Sequence, residues 1–111
     1  MFSVFFTLNG KLDKSNTIKQ LGAVGCNINS GGLVTLGKIN VLTLIFTTTS
    51  DITVNATLIT GLPLVEFLKC VACCRATGTD YALYLQNGGI KTMQPIPNKT
   101  KLYITVTFIA G

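Results

Sequence analysis

The chain has no histidine, and only four of its 111 residues are acidic. Without an imidazole, a serine or cysteine nucleophile lacks its usual base. The acids Asp13, Asp51, Glu66 and Asp80 fall in separate stretches, with no two placed to work as a glycosidase pair. No set of nucleophile, base and orienting group can be assembled, so no enzyme and no cofactor are expected. Long apolar runs are missing too. No segment approaches the ~20 residues of a spanning helix, and membrane insertion is not expected. The start, Met1-Phe2-Ser3-Val4-Phe5-Phe6, is hydrophobic like an export signal, but no basic residue precedes it and Asn9-Gly10 ends it early. It reads instead as a first strand over 2–8.

Charge is scarce as well, at 12% of residues, about half the usual share of roughly 25%. Threonine takes its place. The chain carries sixteen, and a β-branched hydroxyl residue suits the outer face of a pleated sheet. A sheet with few charges is poorly protected against edge pairing, so part of its apolar surface is expected to be covered by further subunits.

Nine basic residues against four acids give a net charge of +5. They are scattered and form no run that would track a phosphate backbone, so nucleic acid is not an expected partner. The same charge would suit attraction to anionic polymers on a cell surface. The cysteines are Cys26, Cys70, Cys73 and Cys74. Cys70-x-x-Cys73 has zinc-ligand spacing. In a strand, however, Cys70 and Cys74 face one way and Cys73 the other, and no disulfide joins such neighbours. Free thiols packed as small apolar groups are expected, which implies assembly in a reducing compartment.

The clearest pattern closes the chain. Over Lys101–Ala110, Leu102, Ile104, Val106, Phe108 and Ala110 alternate with Lys101, Tyr103, Thr105 and Thr107, the period of a strand with one buried face. Upstream, Tyr81–Gln86 and Ile90–Met93 flank Asn87-Gly88-Gly89, a hairpin signal. Leu33–Thr49 reads as two strands broken at Gly37-Lys38. In the second of them Leu42, Leu44 and Phe46 oppose Val41, Thr43, Ile45 and Thr47, so both faces are expected to be covered. Asn29-Ser30-Gly31-Gly32 reads as a turn, and Ile52–Ile59 as a further half-buried strand stopped by Gly61-Leu62-Pro63. Val65–Arg75 is compatible with a helix, but its alternation favours a strand, followed by a turn at Thr77-Gly78-Thr79-Asp80. Seven or eight short strands of this kind predict an all-β, antiparallel β-sandwich or jelly-roll-like fold. Residues 1–28 would form an N-terminal strand and connecting segment, and 29–111 the sandwich.

If Leu83 and Leu85 face the core, Ala82, Tyr84 and Gln86 face out. A tyrosine ring can stack on a sugar while amide, carboxylate and guanidinium groups bind hydroxyls. Tyr84, Asp80, Asn87 and Arg75 are therefore candidate glycan contacts, against the alternative that Tyr84 packs beneath a neighbouring strand or subunit.

Four motifs, in order, carry a resemblance: Gly32-Leu33-Val34-Thr35-Leu36; Gly61-Leu62-Pro63 before an acid-aromatic strand; Tyr84-Leu85-Gln86-Asn87-Gly88-Gly89-Ile90; and Tyr103–Ala110. From about Asn29 to Gly111 the chain resembles the C-terminal head, or tip, domain of bacteriophage tail fibres and receptor-binding proteins. The resemblance implies a homotrimer in the virion, assembled in the bacterial cytoplasm beside other phage tail or virion proteins and adhering to host-surface glycan. The alternative is a structural virion protein, a head decoration or fibre-joining subunit, with no receptor.

Overall fold

The closing segment forms the strand that its alternation predicts, with Leu102, Ile104 and Phe108 buried and Lys101, Thr105 and Thr107 exposed. The computed structural model describes residues 21–110; the expectations for 2–8, Asn9-Gly10 and 11–20 lie outside them. Among the described residues the strands are β1 (Gly22–Ala23), β2 (Cys26–Leu36), β3 (Ile39–Thr48), β4 (Thr57–Thr60), β5 (Leu68–Cys74), β6 (Thr79–Gln86), β7 (Gly89–Thr92) and β8 (Lys101–Ile109). They pair antiparallel in the order β1-β4-β7-β6-β5-β8-β3-β2.

Two half-sheets make up this order. β2, β3 and β8 are joined by long ladders running from Cys26↔Thr48 to Leu36↔Ile39 and from Ile39↔Ile109 to Thr47↔Lys101. The shorter strands β1, β4, β7, β6 and β5 make the other half. The halves meet at a seam with one residue pair, Cys73↔Tyr103. On the far side the sheet nearly closes: Val24 N–H donates to the Leu58 carbonyl at 2.8 Å, and Thr49 N–H to the Gly25 carbonyl at 2.9 Å. The result is an antiparallel β-sandwich rolled almost into a barrel, as the strand pattern predicts.

Leu42, Leu44, Phe46, Leu58, Leu83, Leu85, Ile90 and Leu102 fill its interior. Burying such a side chain contributes about 1.5–3 kcal/mol, whereas an exposed ion pair contributes about 0–1 kcal/mol. With so few charges, the fold is held by its core. Polar groups that enter it are paired. Asn40 accepts from the Thr35 hydroxyl at 2.8 Å and donates to the Lys38 carbonyl at 3.2 Å. Thr48 and Thr100 both donate to the Pro97 carbonyl at 2.7 Å. Among the described residues no buried side-chain nitrogen or oxygen is left without a partner.

Three local expectations are corrected. Asn29-Ser30-Gly31-Gly32 is no turn, because β2 runs straight through it with a bulge between Ile28 and Ser30. Ile28 and Leu33 both pack inward, yet they are five residues apart, and strict alternation would put them on opposite faces. The extra residue of a bulge restores the parity. Gly31 is needed there for closeness: at φ 93° its Cα lies against β3, and a Cβ would stand 2.0 Å from the Thr43 carbonyl oxygen. The expected boundary between 28 and 29 thus falls inside a strand.

Secondly, Ile52–Ile59 is not one strand. Ile52 makes an isolated bridge with Ile96, Asn55 turns the chain at φ 68°, and only Thr57–Thr60 enters the sheet. Thirdly, the turn after β5 covers 75–78, two residues earlier than expected, so that Thr79 and Asp80 open β6. The hairpin at Asn87-Gly88 is as predicted, with φ of 54° and 81° at the two central positions of a tight hairpin turn. Val65–Arg75 supplies a strand, Leu68–Cys74.

Candidate functional site

Lys69, Val71 and Cys73 alternate with buried Cys70, Ala72 and Cys74 along β5, so the first three lie on the outer face. The register brings Tyr84 between Lys69 and Lys91, and Ala82 beside Val71. Met93 joins this second row by donating its N–H to the Ala82 carbonyl at 2.9 Å. Phe67, just ahead of β5, stacks on Tyr84 with centroids 5.3 Å apart and planes inclined by 28°. The Tyr84 hydroxyl donates to Asn55 Oδ1 at 3.0 Å, and Asn55 is itself held by donating its N–H to the Thr92 carbonyl at 2.8 Å.

Tyr84 is accordingly only 9% exposed, while Phe67, Val71, Val54 and Met93 are 52%, 51%, 47% and 38% exposed. A soluble surface rarely leaves such residues contiguous without covering them. What this arrangement offers is a broad apolar contact with a rigid aromatic pair at its centre and lysines on both flanks.

A second aromatic sits at the seam. Tyr103, paired with Cys73, has the Arg75 guanidinium carbon 5.3 Å and the Lys101 Nζ 5.7 Å from its ring centroid. Both lie within the range at which a cation is drawn to a ring face. Beside Lys101 on the same outer face stands Thr47, whose hydroxyl donates to Asn29 Oδ1 at 2.7 Å.

The four residues singled out from the sequence therefore do not form one contact. Tyr84 lies mid-face beneath Phe67. Asn87 is in the β6–β7 turn, its backbone N–H donating to the Val65 carbonyl at 3.3 Å. Asp80 is seven residues from Asn87 along β6, about 23 Å at the rise of a strand. Asp80 and Arg75 do converge, both acting on the Cys73 thiol at the seam. Phe67, Asn55, Tyr103 and Lys101 were not singled out, because each acquires its role by pairing across distant strands. The signals available were the outward parity of Tyr103 and the acid-aromatic step Glu66-Phe67.

The thiols divide as the alternation predicts. Cys26, Cys70 and Cys74 are buried, Cys73 is half-buried on the opposite face, and all four are free. Burial pushes Cys70 up to about 11 and raises Cys26. Partial desolvation, then the charge and hydrogen bond of Asp80, raise Cys73, so the most accessible thiol is a weak nucleophile. Hydrogen bonding to Thr77 lowers Cys74, which is buried. Cys70 and Cys73 point to opposite faces and cannot share an ion, and among the described residues no three His, Cys, Asp or Glu side chains gather as a metal site would require.

No protein-family model matches the chain, and a search of curated proteins found none significantly similar to it.

Proposed function

We propose that this chain is a non-catalytic virion module of the phage tail-fibre or baseplate tip kind. It assembles as a homotrimer through the apolar outer face around Phe67 and Tyr84 and adheres to host-surface saccharide with the polar surface left outside that contact. The observation that carries the reading is the run of exposed Phe67, Val71, Val54 and Met93 around an ordered aromatic pair. Apolar contacts of this composition, centred on aromatics, suit protein association. The resemblance of residues 29–111 to tail-fibre head domains supplies the biological setting.

Static light scattering of the 11.8 kDa chain tests the assembly. The expected particle is three times the chain mass, and Phe67→Asp is expected to reduce it to a monomer by placing an unpaired charge in the contact. A wild-type monomer at micromolar concentration would remove the reading. Sedimentation with purified host cell walls tests adhesion.

The occupied Tyr84 hydroxyl and its covered ring favour a second reading. If the whole face is a subunit contact and no other surface binds sugar, the protein is a head decoration or fibre-joining subunit. A trimer that fails to sediment with cell walls, placed by cryo-EM on capsid or shaft, would establish it.

A further inference from the structure

The geometry points to the seam between the half-sheets as a binding site for an acidic saccharide, one bearing a carboxylate, sulfate or phosphate. This inference rests on the adhesive reading above and names its ligand class.

The site is built from both halves. β5 runs into the turn carrying Arg75, and β8 supplies Lys101 and Tyr103. Both cationic groups lie within 6 Å of the one ring centroid. Two like charges drawn to one ring repel each other, and a ligand anion that reaches both relieves that repulsion. The guanidinium presents a planar fork of donors suited to a carboxylate, sulfate or phosphate, and the lysine a compact second charge.

Next to Lys101, the Thr47 hydroxyl fixes Asn29 by donating to its Oδ1. The Asn29 amide NH2, without a partner among the described residues, is thereby turned into a hydroxyl-seeking donor. Asn29 shares the outer face with Asn27, the residue that pairs with Thr47. Cations, an aromatic edge and an oriented amide together suit a charged sugar rather than a neutral one.

The acid nearest this face is Asp80. It lies two strands from Tyr103, beyond Cys73, a separation of about 10 Å at the spacing of paired strands. Asp80 and Arg75 both reach the Cys73 thiol, so two cations and one acid surround the ring and leave it with a net positive charge. A nucleic acid is the competing polyanion, but two cations at one ring are a point of attachment and not the track of charge that a phosphate backbone needs.

Biolayer interferometry with the full chain tests the assignment. Immobilised dextran sulfate and poly(glycerol phosphate) distinguish a sulfated from a phosphate-bearing source. Neutral dextran and single-stranded DNA are the references. The wild type is expected to bind at least one of the two acidic polymers, at least tenfold more tightly than neutral dextran. Affinity should fall as salt rises from 50 to 300 mM, as expected of exposed charges. The double variant Arg75→Gln/Lys101→Gln is expected to lose at least tenfold and each of its single changes at least threefold, whereas Lys38→Gln, the loss of one charge in the β2–β3 turn, should lose less than twofold.

A loss in Lys38→Gln equal to that of either single change would overturn the assignment, since net charge alone would then explain binding. So would tighter binding to DNA than to either acidic polymer. Thermal unfolding identical to wild type excludes misfolding of the double variant, both residues being exposed. If the double variant remains trimeric and sediments with host cell walls as well as wild type does, this site falls while the adhesive reading stands. If wild type sediments with no cell wall, the adhesive reading itself falls.

Discussion

The two half-sheets are built to different standards. β2, β3 and β8 are joined by ten and nine residue pairs, interrupted once by the bulge between Ile28 and Ser30. In the other half the ladders hold two, three, four and seven pairs, with a register shift between Thr57 and Ile59. The regular half alternates cleanly on β3, from Asn40 to Thr48 inward and from Ile39 to Thr47 outward. The irregular half carries Asn55 and Asn87 at positive φ and exposes Phe67, Val71 and Met93 in mid-face, where the regular half exposes apolar residues at its end, Leu36, Ile39 and Ile109. Regular pairing consumes backbone groups and fixes side chains in place. Irregular pairing frees loops and aromatics to make contacts, and the proposed subunit interface lies there.

If the regular half is the scaffold, damage to its core should cost most. Phe46, fully buried on β3, is expected to lose about 3–5 kcal/mol on change to alanine, measured by urea unfolding. A loss below about 1 kcal/mol would show that stability resides elsewhere.

Two glycines of the same half sharpen the point. Gly31→Ala would drive a Cβ into the Thr43 carbonyl and is expected to cost about 1–3 kcal/mol, the range for overpacking. Gly37, in the β2–β3 turn, has open space around it but φ 65°, so its alanine variant carries only the left-handed backbone penalty of about 1–2 kcal/mol. Equal losses would mean that the approach of β2 to β3 does not matter.

The irregular half should respond to pH through Cys70. Its folded pKa, about 11, lies above the ordinary thiol value of 9.0. The unfolded chain therefore loses its proton first as pH rises. The contribution of Cys70 is full below pH 9 and is lost between pH 9 and 11. Cys70→Ala should flatten that part of the stability profile relative to wild type, whatever slope tyrosines and lysines add to both. The smallest effect is expected for Tyr84→Phe, which removes the hydrogen bond to Asn55 at a cost of about 1 kcal/mol and leaves the stack on Phe67.

Much of the fold was legible because period two leaves few choices. The alternation of Lys101–Ala110, the strand in which Leu42, Leu44 and Phe46 oppose Val41, Thr43 and Ile45, the Asn87-Gly88 turn and the opposed cysteines of β5 all took the predicted form. What escaped depends on non-local geometry. Asn29–Gly32 has the composition of a turn, and only the need for Ile28 and Leu33 to share an interior face reveals a bulge. Ile52–Ile59 alternates well enough for a strand, but pairing with β7 begins only at Thr57. The candidate site was legible in parity alone. Tyr84 was placed on the outer face, but Phe67 above it and Asn55 beneath its hydroxyl come from chain positions 17 and 29 residues away. Arg75 was singled out, but its partner ring was not, since β5 and β8 are neighbours only in three dimensions.

The seam has a mechanical meaning. A tube slit along its length can spread at the slit while every rung elsewhere stays intact, and Cys73↔Tyr103 is a single stitch across such an opening. Deuterium should therefore replace the amide protons along that margin of β5 sooner than those of β3, which has neighbours on both flanks. A ligand grasping Arg75 on one lip and Lys101 on the other would draw the slit shut and stiffen the whole cylinder.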